Sequence, residues 1–229
     1  MSIVFDKIIP LADKINEKLA LVGTLDEKAD LSKYEWRNKI YRSFEKFRRA
    51  HLEVLDTRDK NNMWIMHVTI FPHVDNDAPI FGFDIVCTGN KVSGIFHDFS
   101  VTVNPKHPLM EGFASNVSKC VWKKERELPE WGKAIFSEHM IAAGGSNTEQ
   151  ELEQIVKVCM DNLDFYLINI DGAFHNSNVK DIVKAQNRYC RYQKMNPYPV
   201  KMLMHLGLSQ QDASDFVEYV LFPEYSESE

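Results

Sequence analysis

The sequence predicts an α+β fold, an antiparallel sheet covered by helices, and three observations carry that prediction. The middle of the chain, residues 36–102, is strand-like and broken only by the turn-like separators DTRDKNN, HVDNDAP and TGNK. Such short connections favour an antiparallel meander, because parallel strands need long crossovers. An amphipathic helical stretch precedes this region and the C-terminal half reads as helical. Helix, sheet and helices in that order give a layered sandwich.

The first helix is expected over Ile3 to Leu21, with Pro10 placing a kink or an early boundary inside it. The strands are expected at 36–45, 48–56, 62–71, 79–88 and 91–102, bounded by residues rich in Asp, Asn, Gly and Pro. SNTE at 146–149 has a capping-box pattern and opens a helix running to about Ile170. A further helix covers Val179 to Met195 and ends before Pro197. A short helix at 199–206 has Gly207 as its C-cap, and SQQD at 209–212 starts the last one, which stops before Pro223. The tail EYSESE is polar. There is no internal repeat or long linker, so residues 1–229 are expected to form a single domain.

Composition narrows the function classes. The 229 residues are 44% apolar and 26% charged, as in an ordinary globular protein. No run approaches the roughly 18 consecutive apolar residues of a membrane span. The N-terminal segment has acids within its apolar stretch and little basic charge, which favours a first helix over a signal peptide. Cys87, Cys120, Cys159 and Cys190 show no CxxC or CxxH spacing, so reduced thiols and a cytoplasmic location are expected. A net charge of −6 disfavours nucleic-acid binding, and no membrane partner is expected. Charge is uneven, however. RNKIYRSFEKFRR and the run from Lys180 to Lys201 are locally basic, either as docking patches for an acidic partner or as solvated faces.

The chemistry concentrates in the predicted sheet. His51 and Glu53 in AHLEVL, His67 in MWIMHVTIF and Asp84 in IFGFDIVC each interrupt an apolar strand-like run. At the two-residue period of a strand these four side chains can share one face of the sheet. Leu52, Val54, Trp64, Met66, Val68, Phe81, Phe83 and Ile85 then take the other. Gly82 beside Asp84 would let something flat approach the sheet. A carboxylic acid raised by burial and a histidine near neutral pKa can deliver protons at pH 7, and if they touch they titrate together. The same groups could be satisfied core polar residues, or could bind zinc or iron, although HLE lacks the helical HExxH arrangement and no metal is assigned. No GxGxxG, GxxxxGK or GxSxG motif supports a nucleotide, a flavin or a serine hydrolase.

Seven segments taken together carry a resemblance: FRRAHLEVL, IMHVTIFP, APIFGFDIV, KVSGIF, RELPEWGKAIFSEH, NRYCRYQKMN and FVEYVLFPE. They occur in this order from about Phe47 to the C-terminus and resemble the ferredoxin-dependent bilin reductases. The resemblance implies a three-layer α/β/α sandwich with a central antiparallel sheet, in agreement with the residue reading. It implies biliverdin IXα held between the sheet and the C-terminal helices. It also implies no bound cofactor, with reduced ferredoxin as external electron donor, protein-supplied protons and radical intermediates. By position, Asp84 resembles an aspartate at the pyrrole lactams and His67 its histidine partner. Glu53 resembles the proton donor for the D-ring vinyl group, and His51 a histidine that orients His67 by hydrogen bonding. Arg126 resembles a propionate-binding arginine, which suits bidentate guanidinium chemistry. Ser93 and Asn196 fall on pocket positions.

The chain departs from the family pattern after Asn196, where Pro197 and Tyr198 stand in place of an aspartate and, in some members, a base. Lys194 or Lys201 is the expected substitute for the missing second propionate clamp. Retention of Glu53 implies the route to phycocyanobilin, with phycoerythrobilin or a non-catalytic bilin carrier as alternatives. Ferredoxin is expected at the basic groups around Arg42, Lys46, Arg48 and Arg49, or around Lys184, Arg188 and Arg191. A monomer is the expected state.

Overall fold

The computed structural model describes residues 2–29, 31–170 and 178–226. The chain opens with two helices, α1 (Ile3–Ile8) and α2 (Pro10–Val22). Pro10 sits in the first turn of α2, where its missing N–H breaks no intrahelical bond, so it marks a boundary rather than a kink. After β1 (Thr24–Leu25) come β2 (Arg37–Arg42), β3 (Arg49–Asp56), the turn helix α3 (Arg58–Asn61), β4 (Met63–Phe71), β5 (Ile80–Thr88) and β6 (Lys91–Ser100). These strands form the expected meander. The chain continues through α4 (Pro108–Val117), β7 (Lys124–Glu125), α5 (Glu130–Lys133) and β8 (Ile141–Gly144). Helices α6 (Glu149–Asn169), α7 (Val179–Gln193), α8 (Tyr198–His205) and α9 (Gln210–Phe216) complete the fold, and α9 runs into a π-helical turn over Val217–Leu221.

Eight strands make one sheet in the order β1-β2-β3-β4-β5-β6-β8-β7, and every pair is antiparallel. Side chains alternate between its faces as the two-residue period requires. Leu52, Met66, Val68, Phe81, Phe83 and Ile85 pack beneath residues of α1, α2, α4 and α6 in one apolar core. Phe71 and Ile80, on the other face, pack with Tyr189, Cys190, Leu203, Phe216 and Val220 from the C-terminal helices. Helices, sheet and helices form the three layers.

The long helix α6 does use a capping box, but two residues later than SNTE places it. Thr148 accepts from the Glu151 N–H at 3.3 Å, and the Glu151 carboxylate accepts from the Thr148 N–H at 2.9 Å. Ser146 is held elsewhere, since its carbonyl accepts from the Val92 N–H of β6 at 2.8 Å. Gly207 adopts a left-handed φ of 104° just beyond α8, which a glycine takes without Cβ strain.

His97, which the sequence reading passed over, lies in the first core with only 1% of its surface exposed. Burial pushes it down to about 4, so it is neutral. Its Nδ1–H donates to the Gly82 carbonyl at 2.7 Å, and Nε2 accepts from the Asn162 amide at 3.0 Å. Around it, Phe99 stacks on Phe113 at 4.4 Å and 13°, and meets Tyr166 edge-on. Phe99→Ala is therefore expected to cost about 3–5 kcal/mol, read as a lowered urea midpoint with little change in slope.

Candidate active site

The register of β3, β4 and β5 assembles the polar cluster. Glu53 pairs with His67, and His67 with Asp84, so the three form one row across neighbouring strands. His51, Thr69, Gly82 and Asp98 form the adjacent row on the same face. All four of the predicted catalytic side chains thus share a face, as the alternation required.

Their environments differ, and the differences set their chemistry. Glu53 is buried, and the Trp36 indole N–H donates to its Oε1 at 2.8 Å. Burial raises the Glu53 carboxyl to about 7; nearby His67 and the Trp36 hydrogen bond oppose that rise, while Asp84 adds to it. His67 is also buried and is hydrogen-bonded through Nδ1 to Asp84. Burial acts to lower His67, but the Asp84 carboxylate, with help from Glu53, more than reverses it and leaves the imidazole raised. Asp84 keeps 39% of its side chain exposed, so it is the member of the row that a ligand can touch. Half-buried Ile65, Val86 and Phe96 surround it on this face.

His51 corrects one expectation. It makes no hydrogen bond to His67; the two rings are 5.9 Å apart, and the second ring nitrogen of His67 is met by Thr69 Oγ1 at 2.6 Å. The register explains this, because His51 stands opposite Thr69 and therefore diagonal to His67. His51 instead bonds through Nε2 to Asn38 Oδ1 at 3.2 Å, and its Nδ1 has no partner among the described residues. Burial, then the nearby Arg49 and His67, hold it well below the ordinary histidine value. It is a neutral imidazole.

Two groups from the C-terminal layer bear on this face. Phe222 meets the His67 ring edge-on at 5.5 Å. The Tyr189 hydroxyl lies 3.4 Å from where a Cβ on Gly82 would stand, and it accepts from the Gln193 amide at 2.8 Å. The space that Gly82 leaves is thus filled in part by Tyr189.

The predicted binding residues divide. Ser93 is the residue skipped by the register shift opposite Val86 and Cys87, and its hydroxyl donates to the Val86 carbonyl at 3.0 Å. Arg126 hydrogen-bonds the Ser93 carbonyl and carries its guanidinium 5.9 Å from the centre of Phe96, the residue paired with Asp84. Arg126 and Ser93 are therefore brought together beside the row. Arg126 also lines a cavity of about 710 Å³ with Trp122, Leu128, Phe136 and His139; Glu53, His67 and Asp84 do not line it. Asn196 lies two residues before α8, and its side-chain oxygen accepts from the Tyr198 N–H at 3.1 Å. Lys201 is exposed. Lys194 is not free to replace a clamp: with 14% of its side chain exposed, it is bound to Glu218 at 2.6 Å and Glu224 at 3.0 Å.

The protein-family model for ferredoxin-dependent bilin reductases matches residues 13–223. The chain belongs to that family. As a bilin reductase it is 28% identical over 180 residues to the phycocyanobilin:ferredoxin oxidoreductase of Prochlorococcus marinus (strain MIT 9515), covering 77% of this chain and 72% of that one. The enzyme of the same name from Synechococcus elongatus is 27% identical over 184 residues, covering 76% and 71%. The solved structure of PcyX superposes with a TM-score of 0.72 at 27% identity, over 96% of this chain and 99% of that one. Tomato phytochromobilin synthase, solved in complex with biliverdin, shares the fold with a TM-score of 0.73 at 17% identity, over 95% and 82%.

In the first basic patch of this bilin reductase Arg48 and Arg49 are turned inward. Arg48 is buried and donates to Gln186 at 2.8 Å, and buried Arg49 donates to the Val220 carbonyl. Arg42 pairs with Asp26 at 2.8 Å. In the second patch Arg188 donates to the Ala134 carbonyl and Arg191 pairs with Glu224. Among the described residues no three His, Cys, Asp or Glu side chains converge as metal ligands would, and no helix is long and apolar enough to cross a membrane. Sequence reasoning missed Trp36, Asn38, Thr69, Tyr189 and Phe222. Only Thr69 carried a usable signal there, as the residue two places beyond His67 on the same strand face.

Proposed function

We propose that this chain reduces biliverdin IXα to phycocyanobilin, taking electrons singly from reduced ferredoxin while Asp84, His67 and Glu53 deliver protons. The observation that carries this reading is the single row Glu53–His67–Asp84, open at Asp84 and buried at Glu53. Asp84 sits where a ligand can contact it, so it serves the lactam end of the pigment. His67 replenishes Asp84 through their shared hydrogen bond. Glu53, raised to about 7, holds a proton at neutral pH that an ordinary carboxyl would have lost. Each added electron makes the bilin more basic, and the row answers with a proton. The pigment carries the redox chemistry and the protein, with no redox group of its own, orients and protonates it.

The product is where a second reading enters. Pro197 and Tyr198 follow Asn196, whose side-chain oxygen accepts from the Tyr198 N–H, and Lys194 is tied to two glutamates. The aspartate that the family pattern has after Asn196 is absent, so reduction to phycoerythrobilin would draw its protons from the same row. Anaerobic turnover of biliverdin IXα with reduced ferredoxin, with products separated by chromatography, decides the matter. Phycocyanobilin supports the first reading, phycoerythrobilin replaces it with the second, and unreduced bound pigment removes both.

Arg126 is assigned to a propionate of the pigment. Arg126→Ala is expected to weaken biliverdin binding about tenfold, as loss of one charge-assisted contact implies. Absorbance titration with biliverdin measures it, and unchanged affinity would take Arg126 out of the site.

A further inference from the structure

The second partner of His67 is a hydroxyl, and that choice has consequences for the protonation row. We propose that Thr69 is a positioning residue whose hydroxyl keeps His67 as a doubly protonated imidazolium in the buried row. This rests on the reading of the row as the proton source.

Thr69 is fully buried, and its Oγ1 lies 2.6 Å from His67 Nε2. Nδ1 of the same ring is held by Asp84. An imidazolium has two N–H donors, and each needs an acceptor once water is excluded. Asp84 takes one and Thr69 the other. When the Nδ1 proton passes to Asp84, the remaining proton stays on Nε2 and the same hydroxyl goes on accepting it. In the other neutral form, with the proton at Nδ1, the hydroxyl can turn and donate to Nε2, which a carbonyl could not do. Thr69 therefore satisfies the ring before and after it gives up a proton.

The facing groups are consistent with this division. From β3 come Glu53, His51 and Arg49; from β5 comes Asp84; the C-terminal layer contributes the uncharged Phe222 and the buried Tyr189. His51 is the other histidine within reach, but its Nε2 faces the carboxamide oxygen of Asn38 and so carries the proton. Among the described residues its Nδ1 has no partner. The charge stays on His67, where Asp84 and Glu53 raise proton affinity against burial.

Losing the acceptor of a charged N–H costs more than losing the donor to a neutral nitrogen. Thr69→Val, nearly the same shape without the hydroxyl, should therefore lower the proton affinity of His67 by about tenfold or more. Thr69→Ser should restore it. Nitrogen-15 NMR of the histidine rings in the ligand-free protein, titrated with pH, reads both ring nitrogens directly. The expected result is a His67 titration displaced to lower pH in the valine variant and restored in the serine variant. Coincident His67 titrations in the wild-type and valine proteins would overturn the proposal. Thr69→Ala gives the same comparison should the valine variant not fold. The readout needs no pigment or ferredoxin, so a chain that failed to reduce biliverdin would sink the proposed function and leave the role of Thr69 to be judged separately.

Discussion

Glu53→Gln is expected to stop bilin reduction at a partly reduced pigment, with formation of the final product slowed by about 10²-fold or more. The amide can still accept the Trp36 N–H at the oxygen that now holds it, so the local shape survives while the acid is lost. The pH dependence should change with it. In the wild-type protein the carboxyl is raised to about 7, so the protonated donor is present below that pH and lost as pH climbs through it. The alkaline limb of the D-ring vinyl reduction should therefore vanish in the variant. A separate sign follows for stability. Glu53 binds its proton more tightly folded than unfolded, so between the ordinary 4.5 and about 7 rising pH removes stability from the wild type. That interval corresponds to up to about 3 kcal/mol, which Glu53→Gln should recover near pH 8 in urea unfolding. Full product from the variant, or an unchanged pH profile, would end the role assigned to Glu53.

Asp84→Asn is expected to bind biliverdin and to turn it over about 10²–10⁴-fold more slowly. The change acts twice. It removes the half-exposed carboxyl that meets the pigment, and it removes the main charge holding His67 above its ordinary value. Burial then dominates at His67, and its imidazole falls toward neutral. Anaerobic single-turnover absorbance measurements separate these effects from binding: the bound-pigment spectrum should form normally and then decay slowly. Wild-type decay would remove Asp84 from the chemistry, and loss of binding would make it an anchor instead.

How far the sequence foretold this site depends on how local each fact is. The shared face of His51, Glu53, His67 and Asp84 followed from alternation along three strands joined by short turns, and the sheet keeps it. Which of these side chains touch does not follow from alternation. It depends on register, and one pair of residues decides whether His67 meets His51 or Thr69. Trp36 opens the predicted strand 36–45 and lies just before β2, and nothing in that position says that its indole holds Glu53. Tyr189 and Phe222 arrive from the far end of the chain. The overlapping boxes in SNTEQE show the same limit. Both obey the motif, and tertiary pairing of Ser146 with Val92 selects the second. Helix α4 escaped notice because His107 caps it through Nδ1, outside the Ser, Thr, Asp and Asn set that marks most helix starts. The short strands β7 and β8 offered too few residues for any alternation to register.

The row of proton donors and its cover belong to different regimes of contact order. Glu53, His67 and Asp84 come from consecutive strands, joined by hairpins whose closure costs little chain entropy. The contact that ties the C-terminal π-helical turn to the sheet, Arg49 to the Val220 carbonyl, spans 171 residues. Short-range pairing of that kind forms readily, whereas long-range docking is intrinsically slow. In a newly made chain the row therefore takes shape while the wall that carries Phe222 is still unplaced. The chemistry is built by neighbours, and its enclosure waits for the end of the chain.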